Sequence, residues 1–296
     1  MSEFTFKEFQ ASYPDDGACL DRIMKEQFGG LKISCPGCGA DSTFSRITKR
    51  RAYACQWCGH HIYPCAGTIF EKSRTPLTTW FFAMYLMTST RHGVAAKEIE
   101  RQTGVTYKTA WRICHELRKL MAAADSHTPL SGHVEVDETY IGGKQSIESR
   151  QRDGDNKTPV MGMVEREDGR IRAGVIPNAS GITLRKIITE NIAPGTTIST
   201  DEYHAYKDLG RTGLYQHGAV KHRYKEYVDG IHHVNTLEGH WSILKRSIKG
   251  THVHVSPKHL WKYVSEFSYR RNMRHSHWLM FDHLLVSVSL PRLQES

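Results

Sequence analysis

Four of the seven cysteines stand in two Cys-x2-Cys pairs, Cys35-Pro-Gly-Cys38 and Cys55-Gln-Trp-Cys58, separated by 16 residues. Two such knuckles can set four thiolates tetrahedrally around Zn²⁺, and Gly37, Gly39 and Gly59 permit the tight turns that aim backbone amides at sulfur. Four cysteines complete the coordination, so the zinc is structural, and His60 and His61 are turn residues rather than ligands. Cys19, Cys65 and Cys114 lack paired spacing and read as small buried hydrophobes. An odd cysteine count and an N-terminus, MSEFTFKEFQ, with no basic or apolar leader argue for a reducing cytosol rather than a disulfide framework.

A second chemistry lies in the carboxylates. Asp137 follows the alternating Val134 and Val136 and is expected at the end of a strand; Asp201 closes the strand-like Thr196 to Thr200. In open α/β sheets ligands gather beyond the carboxyl ends of the strands, so two acids arriving there from distant sequence are candidates for one metal site. Glu238 lies in a stretch from Asn235 to Lys249 whose Leu237, Trp241 and Leu244 recur at helical spacing, and it supplies a third carboxylate. Hard divalent cations prefer oxygen ligands, and three carboxylates leave coordination positions open for water and phosphate, so the set suits two Mg²⁺ or Mn²⁺ ions. Taken singly, each acid is an ordinary surface group, and Asp201 before Glu202 would merely cap a turn.

The elements that must carry these residues divide the chain of 296 residues into four parts. Residues 1–30 form a helical lead-in and residues 31–75 a zinc ribbon, its hairpin running from Thr43 to Ala54. Residues 76–125 hold a buried helix from Trp80 to Thr90 and then two helices, Ala95 to Thr103 and Tyr107 to Ala124, around Gly104-Val105-Thr106. That pair is a helix-turn-helix pattern, in which Lys108 and Arg112 reach DNA while Trp111 and Ile113 face inward. From 131 to 296 the pattern turns to strands at 133–140, 159–165, 171–176 and 196–200, with a helix at 183–191 between the last two. A three-strand meander followed by crossover units, βββαβα, is compatible with an RNase H-like sheet covered by helices, and the whole chain reads as a multidomain α+β and α/β protein.

Charge indicates the partner. Forty Lys/Arg against 31 Asp/Glu give a net charge of +9 and a pI near 9.2, in the range of polyanion binders. The segment from His240 to Ser296 holds nine basic and three acidic residues. Lys245 stands seven residues after Glu238, nearly two helical turns, so it projects from about the same face to meet phosphate, with Arg246 beside it. A helix from Pro257 to Arg274 interleaves Lys258, Lys262, Arg270, Arg271 and Arg274 with aromatics, the cations expected to face DNA. Histidines such as His222, His232, His233, His252 and His254 match no metal spacing and are expected in phosphate contacts, caps and loops, with 252–254 in a strand-like loop. The longest apolar run, Trp80 to Met87, is far too short to span a bilayer.

Three segments carry a resemblance: Asp137-Glu138-Thr139-Tyr140-Ile141-Gly142-Gly143-Lys144, Thr200-Asp201-Glu202-Tyr203 and Val234-Asn235-Thr236-Leu237-Glu238-Gly239-His240-Trp241-Ser242. With the ribbon and the Ala66-Gly67-Thr68-Ile69-Phe70 segment after it, the chain resembles the DDE transposases of bacterial insertion sequences that begin with a zinc ribbon. The resemblance extends from about Tyr13 to about His275. It implies that Asp137, Asp201 and Glu238 hold the catalytic Mg²⁺ or Mn²⁺, and the 36 residues between Asp201 and Glu238 agree with the short second spacing of such enzymes. Some relatives have asparagine as third ligand, and Asn235 competes for that role; the ionised oxygen of Glu238 suits a hard cation better. The implied activity is cleavage and strand transfer at element ends, with double-stranded terminal-repeat and target DNA as partners. A dimer or higher oligomer is expected at synapsis, and the implied location is the cytoplasmic nucleoid. The alternatives are a metal-dependent nuclease that cuts without joining, and a non-catalytic zinc-dependent DNA-binding regulator.

Overall fold

The computed structural model describes residues 4–125, 128–142, 157–207, 209–220, 231–291 and 293. Gly143, Lys144 and His222 lie outside them. The chain forms two compact units, Met1–Ala124 with His275–Ser296, and Asp125–Arg274. The C-terminal segment from His275, expected to continue the second half of the chain, therefore belongs with the first.

In the first unit, helices α1 (Phe6–Ser12) and α2 (Asp16–Phe28) start from side-chain caps, Thr5 in a capping box with Glu8 and Asp15 on the amide of Ala18. The ribbon follows as a four-stranded antiparallel sheet in sequential order, β1 (Lys32–Ser34), β2 (Asp41–Arg46), β3 (Tyr53–Cys55) and β4 (His61–Ile62). Helix α3 (Leu77–Ser89) is apolar around its circumference and buries Trp80, Phe81 and Met84 completely. Helices α4 (Ala96–Thr103) and α5 (Tyr107–Ala124) are joined through Gly104, whose φ of 72° ends α4 in a left-handed cap. Near the other end of the chain, Phe281 packs edge-on against Phe81, 6.2 Å between ring centroids, and lies 5.6 Å from Tyr13.

The second unit is built on a five-stranded sheet. Strands β5 (His133–Ile141), β6 (Thr158–Glu165) and β7 (Ile171–Val175) form the antiparallel meander; after helix α6 (Gly181–Asn191), strands β8 (Thr197–Asp201) and β9 (Gln216–Val220) add in parallel, giving the order β7-β6-β5-β8-β9. This is the RNase H-like arrangement expected from the sequence, with β9 as an additional strand. Polar Gln216 and His217 and the small Gly218 hide β9 from an apolar-alternation search.

Both faces of the sheet are covered. Val134, Val136, Met161 and Ile198 pack with Leu184 and Ile188 of α6, whereas Val160, Val164 and Ile171 pack with helices α7 (Asn235–Ser247) and α8 (Pro257–Asn272). Of the five cations expected to face DNA, Lys258 is exposed, whereas the other four, Arg274 just past α8 among them, depart from expectation. Lys262 is fully buried, Arg270 pairs with buried Glu266 at 2.8 Å, and Arg271 and Arg274 both donate to the carbonyl of Gly169. Periodicity alone cannot separate an inward cation with a partner from an outward one. The segment at 252–254 also differs: α7 runs on through a π turn, Ile248–His252, and Val253 takes a φ of 63°.

Candidate functional site

The ribbon geometry accounts for the four-cysteine set. Cys35 follows β1 and Cys55 ends β3, each opening a short turn that Gly39 (φ 72°) or Gly59 (φ 71°) closes into the next strand. The four Sγ atoms all lie within 4.8 Å of one another, and Cys35 Sγ stands 3.7 Å from Cys58 Sγ. A tetrahedron with Zn–S bonds of about 2.3 Å has edges of about 3.8 Å, so the donor set fits zinc. The Gly37 amide donates toward Cys35 Sγ at 3.4 Å.

Asp137 lies in the middle of β5 rather than at its end, because the strand continues through Thr139, Tyr140 and Ile141 as the partner of β6. Asp201 does end its strand. The parallel register pairs His133 with Thr197, Val134 with Ile198 and Glu135 with Ser199; continued two residues further, it sets Asp137 level with Asp201. Asp201 Oδ1 also accepts the backbone N–H of Tyr203 at 3.0 Å, so this acid caps the turn as well.

Asp137 Oδ2 accepts the indole N–H of Trp241 at 2.9 Å, which brings α7 against the middle of β5. The ring fits there because the residue opposite Asp137 on β6 is Gly162: a Cβ at that position would stand 2.5 Å from the indole. Burial first, then the Glu138 carboxylate and then that of Asp201 push the Asp137 carboxyl up to about 7, against the opposing Trp241 bond. Glu138 is also raised, by burial and by Asp201, although the Tyr206 hydroxyl donates to its Oε2 at 2.6 Å.

Glu238 lies on α7, one turn before Trp241, and is exposed, as are Asn235, Lys245 and Arg246 on the same helix. Among the described residues, only the four cysteines bring three or more ligand-type side chains within 4.8 Å of one another; Asp137, Asp201 and Glu238 do not close to that distance. The crowding around Asp137 nevertheless fits a divalent cation, which would relieve carboxylate repulsion and prefers such oxygen donors. Glu138 enters the same electrostatic neighbourhood; its place beside Asp137 in the sequence was the available signal.

On the helix pair, Lys108 is exposed. Arg112 is exposed too but engaged, its guanidinium 5.3 Å above the Trp80 ring and 3.3 Å from the Ser73 hydroxyl. Ile113 is fully buried, while Trp111 is half-buried and lies tilted against His115, 3.7 Å between ring centroids.

Comparison with known proteins bears on this arrangement. Residues 129–272 match the model of the ISXO2-like transposase domain, and residues 14–61 match that of the transposase zinc-ribbon domain, both of the IS1595 group. The chain belongs to the insertion-sequence transposases. A relative from Halobacterium salinarum, described as an uncharacterized protein in transposable element ISH50, is 29% identical over 260 residues, covering 81% of this chain and 86% of its own length. Among solved structures, this transposase is similar to a chain of the simian T-cell lymphotropic virus intasome in complex with the PP2A regulatory subunit B56 gamma. That likeness has 14% identity and a TM-score of 0.31, covers 58% of this chain and spans 63% of that one, which is too slight to establish a common fold.

Proposed function

We propose that this transposase binds the ends of its element and catalyses metal-dependent DNA strand cleavage followed by strand transfer, with Asp137, Asp201 and Glu238 as the metal-holding acids. The supporting observation is the convergence of the parallel β5–β8 register, which levels Asp137 with Asp201, and the Trp241 bond, which docks the helix bearing Glu238 on Asp137. Bound Mg²⁺ or Mn²⁺ would supply activation of the attacking oxygen and stabilisation of the leaving 3′ oxygen. Within the chain, Trp241 fixes the rotamer of Asp137, leaving Oδ1 to ligate, and the Tyr203 amide orients Asp201. Lys245 and Arg246, exposed further along α7, meet phosphate, and Lys108 with Arg112 contacts the element end through α5. The partners are double-stranded terminal repeats and target DNA in the cytoplasmic nucleoid. Because two ends must meet, a dimer or larger assembly acts at synapsis. No described helix is long and apolar enough to cross a membrane.

The test is incubation of purified protein with linear element-end DNA and Mg²⁺, followed by sequencing of cleaved and joined products. Cleavage with joining supports the proposal; cleavage without joining reduces it to a nuclease, and neither product leaves a zinc-dependent DNA-binding regulator. Asp201→Asn and Glu238→Gln should each abolish both products with DNA binding retained, whereas Asn235→Ala should remain active. The reverse pattern at 235 and 238 would move the third ligand to Asn235.

A further inference from the structure

We infer that Glu135 is a positioning residue for the acidic site, fixing where α7 and therefore Glu238 stand relative to Asp137; the inference rests on the metal-site reading above. Glu135 is completely buried in β5, two residues before Asp137 and so on the same face of the sheet. A carboxylate there is strongly disfavoured unless its oxygens are satisfied.

They are satisfied by the start of α7. This helix has Val234 at its N-cap position and no side-chain cap of its own. Its orphan donors turn to the sheet: Glu135 Oε2 accepts the amides of Thr236 at 3.0 Å and Leu237 at 3.4 Å, and Oε1 accepts the Thr236 hydroxyl at 2.8 Å. The carboxylate also meets the positive end of the helix dipole. Arg166 balances the charge, donating Nε to Glu135 Oε1 at 2.9 Å and its terminal nitrogens to the carbonyls of Ile231 and His233, so the approach to the helix is tied to the same group.

Helix α7 is thus fastened to β5 twice, Glu135 holding residues 236 and 237 and Asp137 holding Trp241. Glu238 lies between the two fastenings. Apolar packing under Leu237 and Leu244 is non-directional and would let the helix slide or turn about its axis. Two directional attachments on one strand remove both freedoms, which is the rigidity a ligand needs from its supporting groups.

The test compares Glu135→Gln, Thr236→Val and Glu238→Gln in the full chain. Amide hydrogen exchange across 235–241, Mn²⁺ half-saturation by electron paramagnetic resonance, end-DNA cleavage and specific DNA binding are measured on each. Glu135→Gln keeps the size but turns an N–H group against either the helix amides or Arg166. It should accelerate exchange at 236 and 237, raise the Mn²⁺ half-saturation about tenfold or more, and lose cleavage that high Mn²⁺ partly restores, with DNA binding within about twofold. Thr236→Val should change the same quantities less, about threefold. A purely structural role would instead lower DNA binding and cleavage together without rescue by Mn²⁺. If Glu135→Gln does not fold, Thr236→Val decides, and an unchanged Mn²⁺ half-saturation there overturns the inference. Normal Mn²⁺ binding in Glu135→Gln alongside a defective Glu238→Gln overturns it alone; a fully normal Glu238→Gln overturns the metal-site reading beneath it.

Discussion

Replacing Asp137 by Asn should stabilise the metal-free protein while destroying the activity proposed for it. The side chain keeps its size and an oxygen for the Trp241 N–H, but it no longer places a charge beside Glu138 and Asp201. Raising a carboxyl from its ordinary 3.8 to about 7 corresponds to about 4 kcal/mol of disfavoured ionisation. Partial access of water reduces this to about 2 kcal/mol. The sign follows from the folded value lying above the unfolded one. Below pH 3.8 both states are protonated and the protein has its full stability; as pH rises the unfolded chain ionises first, and the deficit grows until the folded carboxyl ionises near 7. Calorimetry in EDTA should therefore find Asp137→Asn and the parent melting together near pH 4, diverging up to about pH 7 and parallel beyond it. At pH 8 the variant should melt about 4–8 °C higher, at 2–4 °C per kcal/mol for a unit of this size. Mg²⁺ or Mn²⁺ should then raise the melting temperature of the parent at pH 8 and leave the variant unmoved. Equal melting at pH 8 in EDTA would refute the crowding argument, and a metal response in the variant would refute the assignment of Asp137 as ligand.

The zinc set predicts that Cys35→Ser or Cys58→Ser lowers zinc content measured by mass spectrometry and unprotects amides within 31–65, because zinc supplies most of so small a sheet's folding energy. Lys108→Ala should weaken end binding several-fold and reduce the slope of affinity against salt by about one, as measured by fluorescence anisotropy. Arg112→Ala should in addition cost about 0.5–1 kcal/mol of stability in denaturant titrations, since its guanidinium rests on Trp80. Gly162→Ala should cost about 1–3 kcal/mol and reduce cleavage, since the added methyl displaces the indole from Asp137.

The sequence is most legible where chemistry demands a fixed spacing or a sustained period. The Cys-x2-Cys pairs located the ribbon, and helix α5 has the expected bounds, Tyr107 to Ala124. Strand β5 was expected at 133–140 and runs His133–Ile141, so its extent was legible, but Asp137, expected at its end, stands in mid-strand with Thr139 and Tyr140 paired beyond it to Val160 and Pro159. Lys262 and Arg270 were misjudged for a related reason. Arg270 looks solvent-seeking until Glu266 is seen one turn earlier in the same buried layer. Glu135, in the same strand as Asp137, carries no local sign that its partners on α7 lie about a hundred residues away.

The dependence of β5 on α7 sets an order for synthesis. The ribosome completes the central strand, with Glu135, Asp137 and Glu138 within four residues, well before it makes Thr236 and Trp241. Until then Glu135 and Asp137 lack the donors of α7, although Glu135 has Arg166 and Glu138 has the Tyr206 hydroxyl. Products truncated before residue 231 should therefore leave Glu135 and Asp137 open to water, which faster amide exchange across β5 would show. They also lack His275–Ser296, and with it the Phe281 ring that packs on Phe81 and Tyr13, so the first unit is left incomplete too.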